Sequence, residues 1–412
     1  MPMFRLPLLF IATGIVSFVG FHVLSLVTLG SWIAEPPRNP DGWFRIHLMV
    51  LDWGTMIAMG AVYQLMDVVL QRKLYSRVLG YVHYACFFAG SAILLFGFRQ
   101  MEVGYIAAGA ALTWIGICLF AWNIGQTMRL AAQWNAITIS TACAAAYLVI
   151  TGFLGIIMGI DFVQPIWGGI HDRLLSAHIW MGTVGWFGLL ITGFSYKMLP
   201  MFYLSHGESG KRPLVVLVLW NIAVLLGALH FLLGGWIDLD AIAVLCLLAA
   251  LMAYEMHMRD IYKHRHKGNP GSGIRWTVYC TRGLIVYAAI LLGLSVMKPD
   301  VFQEGSLLTI TGWVYLYGWV AMTILGYLSK IVPFLWWTHK YGPLAGKAKV
   351  PVMNDLINDR QVKAGMTGIC GGLCLLLAGM VVQAGPLIWA GGCLLSICSL
   401  LYMGLIARVF AR

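Results

Sequence analysis

The chain has 412 residues, 60% of them hydrophobic and only 10% charged, with a formal net charge of +11. So few charges cannot cover the surface of a water-soluble domain of this length, which excludes the ordinary soluble classes. The positive excess is divided among separate short segments rather than gathered into one basic patch, which argues against a nucleic-acid partner.

Apolar runs of about 20 residues, the length that crosses the hydrocarbon core of a bilayer, recur from one end to the other. Twelve are predicted, at residues 5–30, 44–70, 78–98, 103–126, 137–160, 173–200, 212–236, 239–259, 277–297, 306–335, 362–383 and 387–409. Backbone groups inside a bilayer find no water and must pair within their own segment, so each run is read as a helix. The expected fold class is an all-α polytopic membrane protein, a single membrane domain over residues 1–412. The first run lacks a small-residue cleavage site and is taken as a retained span, not a signal peptide.

The segments between the runs alternate in charge. Arg72, Lys73 and Arg77 follow the second run, and Lys211 and Arg212 open the seventh. Lys263, Arg265, Lys267 and Arg275 separate the eighth from the ninth, and Lys340, Lys347, Lys349, Arg360 and Lys363 the tenth from the eleventh. The other segments carry Glu35, Asp41, Glu102, Asp161, Asp238, Asp240, Asp300 and Glu304. By the positive-inside rule this arrangement predicts a cell-membrane protein with both termini in the cytoplasm.

All nine cysteines fall within predicted spans. Cys370 and Cys374 share a helix face, but a small apolar role suits them better than a metal or redox one. No CxxC or CxxCH occurs, so nothing points to covalent haem attachment.

The second, sixth and tenth runs share one template. They read DWGTMIAMGAVYQLMD from Asp52, GWFGLLITGFSYKMLP from Gly185 and GWVAMTILGYLSKIVP from Gly318. Trp53, Trp186 and Trp319 are 133 residues apart in both steps. Seven residues on stand Gly60, Gly193 and Gly326, and ten on stand Tyr63, Tyr196 and Ser329. At fourteen come Asp67, Pro200 and Pro333. The period predicts three pseudo-symmetric four-helix units, approximately 1–133, 134–266 and 267–412, with the three template helices lining the interior.

The repeat is broken where chemistry would break it. Six residues before each tryptophan stand His47, Trp180 and Trp313, and eight before stand Arg45, His178 and Thr311. His206, His264, His266 and His339 fall in basic segments and His257 near the basic end of its run, so these five are read as solvated or headgroup-facing. His83 is read as a satisfied polar residue. His22, His47, His171, His178 and His230 all map to the acidic half of their spans, where an ionisable side chain is costly and is a functional candidate. Imidazole suits iron, copper or zinc. His47 and His178, at one depth on two interior helices, are the strongest pair, with His171, His230 and His22 as weaker candidates. A pair of histidines without an accompanying Cys, Asp or Glu set does not make a closed zinc site and suits haem iron instead. Gly54 and Gly182 would then leave space for the macrocycle beside Trp53, and Arg45 or Arg173 would neutralise its propionates. Arg99 is read as an interfacial anchor.

These residues carry a family likeness. The run from His178, H-x-x-x-G-x-x-G-W-x-G followed by G-x-x-Y-x-x-x-P, resembles the tenth helix of haem–copper oxidase subunit I, above all the cbb-type oxidases. The stretch RIHLMVLDWGTMIAMGAVYQLM is similar to the second helix of the nitric-oxide reductases in the same group. In length the chain also resembles the small NnrS-type membrane haem proteins linked to nitric oxide. The likeness implies twelve helices in three arcs of four, matching the 133-residue period over nearly the whole chain, while the motif match is confined to three helices. It also implies haem b, one or two, a quinol or other electron donor, and a diatomic gas ligand.

Departures from the pattern narrow the expectation. The tenth run has no histidine where the oxidases have two, His230 has no adjacent partner, and the second histidine of H-x-H is Trp180. Membrane carboxylates are few: Asp52, Asp67 and Glu255. The expected function is therefore a membrane haem-b protein, redox or nitric-oxide or oxygen related, without the oxidase copper site. In the family's geometry the position of His178 and the position of His47 face one pore. The alternative is a non-enzymatic membrane protein that binds or handles haem or copper, acting as a sensor or transporter.

Overall fold

A computed structural model describes residues 5–30, 38–70, 73–130, 134–207, 210–234, 239–298 and 305–412. Glu35, Arg72, Asp238, Asp300, Glu304 and the side chain of Asp67 lie outside the described residues. Among the described residues, twelve helices are long and apolar enough to cross a membrane. They are α1 (Arg5–Val27), α2 (Pro40–Met66), α3 (Arg77–Gln100), α4 (Val103–Arg129), α5 (Ala136–Val163) and α6 (His171–Tyr203). The rest are α7 (Lys211–Leu232), α8 (Asp240–Lys263), α9 (Ser272–Met297), α10 (Gly305–Lys340), α11 (Asp359–Val381) and α12 (Gly385–Ala411). No strand occurs among the described residues. The chain is an all-α, multi-pass membrane protein.

The helices begin where short polar side chains can satisfy their first amides. Asn39 accepts from Gly42 N at 2.7 Å, Ser76 from Leu79 N at 3.1 Å, and Asn358 from Arg360 N at 2.9 Å. Asn135 forms a capping box with Thr138 at the start of α5. Neither Pro200 nor Pro333 ends its helix. α6 continues to Tyr203 and α10 to Lys340, because neighbouring helices can absorb the one hydrogen bond that proline deletes.

The 133-residue period is visible in the backbone. Each template helix widens into a π-helical segment, at Leu48–Thr55, Met181–Gly188 and Trp313–Ala321. The first two are offset by 133 residues at both ends, and the third ends 133 after the second. Trp53, Trp186 and Trp319 lie inside these segments, each wholly buried. Contacts repeat as well. A Cβ placed on Gly60 would meet Pro7 and Phe10 of α1, one on Gly193 would meet Ser140 of α5, and one on Gly326 would meet Gly273 and Thr277 of α9. Pro7, Ser140 and Gly273 are themselves 133 residues apart. One pair of repeat positions thus joins first and second helix three times over.

Two compact units are distinguished by their internal packing. The first comprises Met1–Gln64, Asn269–Cys280 and Phe302–Arg412, and the second Leu65–Gly268 and Thr281–Val301. In the second unit, α3 and α4 interlock through glycines seven residues apart. Cβ atoms on Gly97 and Gly116 would fall 2.6 Å from Ile106 N and 2.8 Å from Phe87 N, and Gly90 and Gly109 similarly face partner backbone. α11 and α12 in the first unit repeat the device through Gly372, Gly379 and Gly391. Such small-residue faces let backbones meet where no hydrophobic effect drives helices together.

The first unit also holds a buried polar chain. Ser396 Oγ lies 3.2 Å from His22 Nδ1, Tyr317 Oη lies 2.8 Å from His22 Nε2, and Tyr317 Oη lies 2.7 Å from Ser399 Oγ. All four residues are almost fully buried. Removing the phenolic oxygen strands two of these groups. Tyr317→Phe is expected to cost about 1–2 kcal/mol, the upper range for interhelical hydrogen bonds in membranes, read as a lowered melting temperature of the purified protein. An unchanged melting temperature would show the chain to be energetically idle.

His257 departs from its expected place at the headgroups: it is 2% exposed, with its ring 5.3 Å from that of Tyr196. Position along α8 suggested the interface, but helix phase decides. Leu247, Ala250, Leu251, Tyr254, His257, Met258 and Ile261 form the buried stripe.

Candidate functional site

His47 is the last residue before the π-helical segment of α2, and His178 lies three residues before that of α6. Both side chains are partly exposed. Their Nδ1 atoms are held in the same way. His47 Nδ1 lies 2.8 Å from the carbonyl of Trp43, one turn back on its own helix. His178 Nδ1 lies 2.8 Å from the carbonyl of Thr151 on α5. A carbonyl can only accept, so Nδ1 carries the proton in both rings and Nε2 carries the lone pair. This anchoring through the far nitrogen is the second-shell arrangement that metal-binding histidines use.

The local sequence explains how α5 receives His178. Its segment TGFLG presents Thr151 and Gly155 one turn apart, and a Cβ on Gly155 would lie 3.5 Å from His178 Cε1. The ring therefore rests over a glycine and donates to the preceding turn. Gly182 has a packing task of its own. A Cβ there would stand 2.9 Å from Thr151 Cγ2, so the small residue brings α6 against α5.

Arg45, His47, Trp53 and Gly54 occupy one stretch of α2 in the first unit. Arg45 is 4% exposed, Gly54 is buried, and the Trp53 ring lies 4.6 Å from Phe18. Arg173, His178 and Gly182 occupy the matching stretch of α6 in the second unit. The Arg173 guanidinium lies against Gly234, at the end of α7, filling the space a side chain there would take. Gly234 has a left-handed backbone, φ +67°, which favours glycine independently.

The weaker histidines are each engaged in the protein. His171 Nδ1 bonds to Asp161 Oδ2 at 2.8 Å, and Asp161 Oδ1 accepts from Ile166 N and Trp167 N at 2.9 and 3.0 Å. This ties the start of α6 to the end of α5, with the intervening loop bonded to the same carboxylate. His230 Nδ1 accepts from Leu239 N at 3.4 Å, and both nitrogens of His22 belong to the chain with Tyr317 and Ser396. Among the described residues no group of three or more His, Cys, Asp or Glu side chains converges as a metal site. The nine cysteines are free thiols. Sequence reasoning missed the carbonyls of Trp43 and Thr151, because a backbone acceptor has no residue signature. It also missed Gly155, although a glycine one turn from Thr151 was a usable signal.

No protein-family model matches the chain, and no curated protein matches it significantly.

Proposed function

We propose that the protein is a membrane haem-b protein of the redox type, acting on nitric oxide or oxygen, with His47 and His178 as the histidines that ligate the iron. The observation that carries this reading is the shared tautomer: two rings on template helices, each with Nδ1–H fixed to a carbonyl, so that the lone pair of each neutral ring is on Nε2. Nε2 of a neutral imidazole suits haem iron. Bound haem would supply a one-electron couple, and its iron would take a diatomic gas only with one of the two imidazoles released. The protein's part is to hold both rings against rotation and to bring the cations of Arg45 and Arg173 for the haem carboxylates.

The three recurring π-helical segments and the repeated contact of positions 7 and 60 support a threefold pseudo-symmetric arrangement of four-helix units. Orientation follows from charge: the basic segments face the cytoplasm, together with both termini, and the electron donor is quinol or a partner protein. An optical spectrum of the purified protein, oxidised and then reduced, tests the central statement. A low-spin b-type spectrum at one haem or more per chain is expected. Protein from haem-replete cells that shows no haem absorption overturns it.

A further inference from the structure

Glu255 sits in the basic-end half of α8 with its side chain 5% exposed, and one of its oxygens serves two arginines. Arg259 Nε donates to Oε1 at 2.8 Å from the next turn of α8, and Arg282 Nε donates to the same oxygen at 3.0 Å from α9. Three charges of this kind leave the cluster at net +1. The two guanidiniums are turned outward: the Arg259 side chain is 73% exposed and that of Arg282 48%. Only Nε of each is committed, and their Nη groups carry no partner among the described residues.

The surface around them is apolar. Met252 and Met256, seven and three residues before Arg259, are 43% and 54% exposed, and Val286 and Ile290, four and eight after Arg282, are 60% and 54% exposed. In a bilayer that surface meets acyl chains, where an unneutralised cation costs several kcal/mol. Arg259 is four residues from the end of α8, about 6 Å along the helix, close to where headgroups begin. A residual +1 charge, two forks of N–H donors and apolar rows beside them together fit one phosphodiester monoanion carrying two acyl chains. We infer that Arg259 and Arg282, held by Glu255, form a specific seat for the phosphate of an anionic phospholipid. The inference is independent of any haem.

Native mass spectrometry of the delipidated protein in detergent tests it, with phosphatidylglycerol and phosphatidylcholine at equal concentration. One phosphatidylglycerol per chain is expected to bind in preference. Arg259→Gln and Arg282→Gln should each lower that preference about fivefold, from roughly 1 kcal/mol per basic side chain near the headgroups. Lys263→Gln, at the end of the same helix, should leave it unchanged. Arg259 is so exposed that its variant keeps the test alive if Arg282→Gln fails to fold. Equal retention of both lipids, an unaltered preference in Arg259→Gln, an equal loss in Lys263→Gln, or displacement of the lipid by equimolar inorganic phosphate would each overturn the seat.

Discussion

His178→Ala and His47→Ala are each expected to abolish the low-spin haem spectrum of the purified protein, while His83→Ala leaves it nearly unchanged. Losing an iron–imidazole bond is a change of coordination, so the effect should be all or none in the spectrum. His83 is a fair control because it is fully buried beside Phe87 and Phe120 and is carried by α3, which is not one of the template helices. Because the Thr151 carbonyl fixes the His178 ring through backbone, no side-chain substitution at Thr151 removes that bond directly. Thr151→Val should therefore keep the spectrum, which separates ligation from general damage near α5. Retention of the full low-spin spectrum in both ligand variants would return these histidines to the role of polar contacts to backbone carbonyls.

Gly109→Val is expected to remove most of the folded protein, at a cost of about 3 kcal/mol or more, the upper end for forced overpacking. Its Cβ would stand 2.6 Å from Leu94 Cα, and backbone cannot rotate away as a side chain can. Gly391→Val should behave alike, since its Cβ would meet Leu376 Cα at the same distance. Gly104→Ala and Gly125→Ala on α4 have nothing within 4 Å and serve as controls that should fold normally. Fluorescence-detected size exclusion with a thermal ramp reads all four. A Gly109→Val protein that elutes and melts like the parent would mean that the α3–α4 interface is looser than its geometry.

Hydropathy alone was enough to read the twelve spans, because a bilayer demands the same solution from every segment that crosses it. The tryptophan period was legible too, and it extends to features that carry no residue signature, the three π-helical segments. What escaped was lateral. His22 and Tyr317 are 295 positions apart, and nothing in either span announces that phenol and imidazole will meet. His257 was misplaced because distance along a span says how deep a residue lies, not whether it faces lipid or protein. Gly182 makes a packing contact that its own span does not announce, because the place of Thr151 on α5 is set by the fold.

The division of the chain between its two compact units has a consequence for the order of biogenesis. The second unit is drawn almost entirely from one continuous stretch, Leu65–Gly268, so its helices can associate as they leave the ribosome. The first unit must join residues at the start of the chain to residues after Phe302. At roughly 5–20 residues per second, α1 and α2 wait on the order of 10–50 s for the strand of sequence that completes their surroundings. During that interval His22 has neither Tyr317 nor Ser396, and a bare imidazole faces lipid. The interval between the synthesis of α1 and α2 and that of their partners is therefore the stage at which a membrane chaperone or a quality-control protease has most to grasp, and destabilising changes in α12 will be felt as loss of α1 and α2.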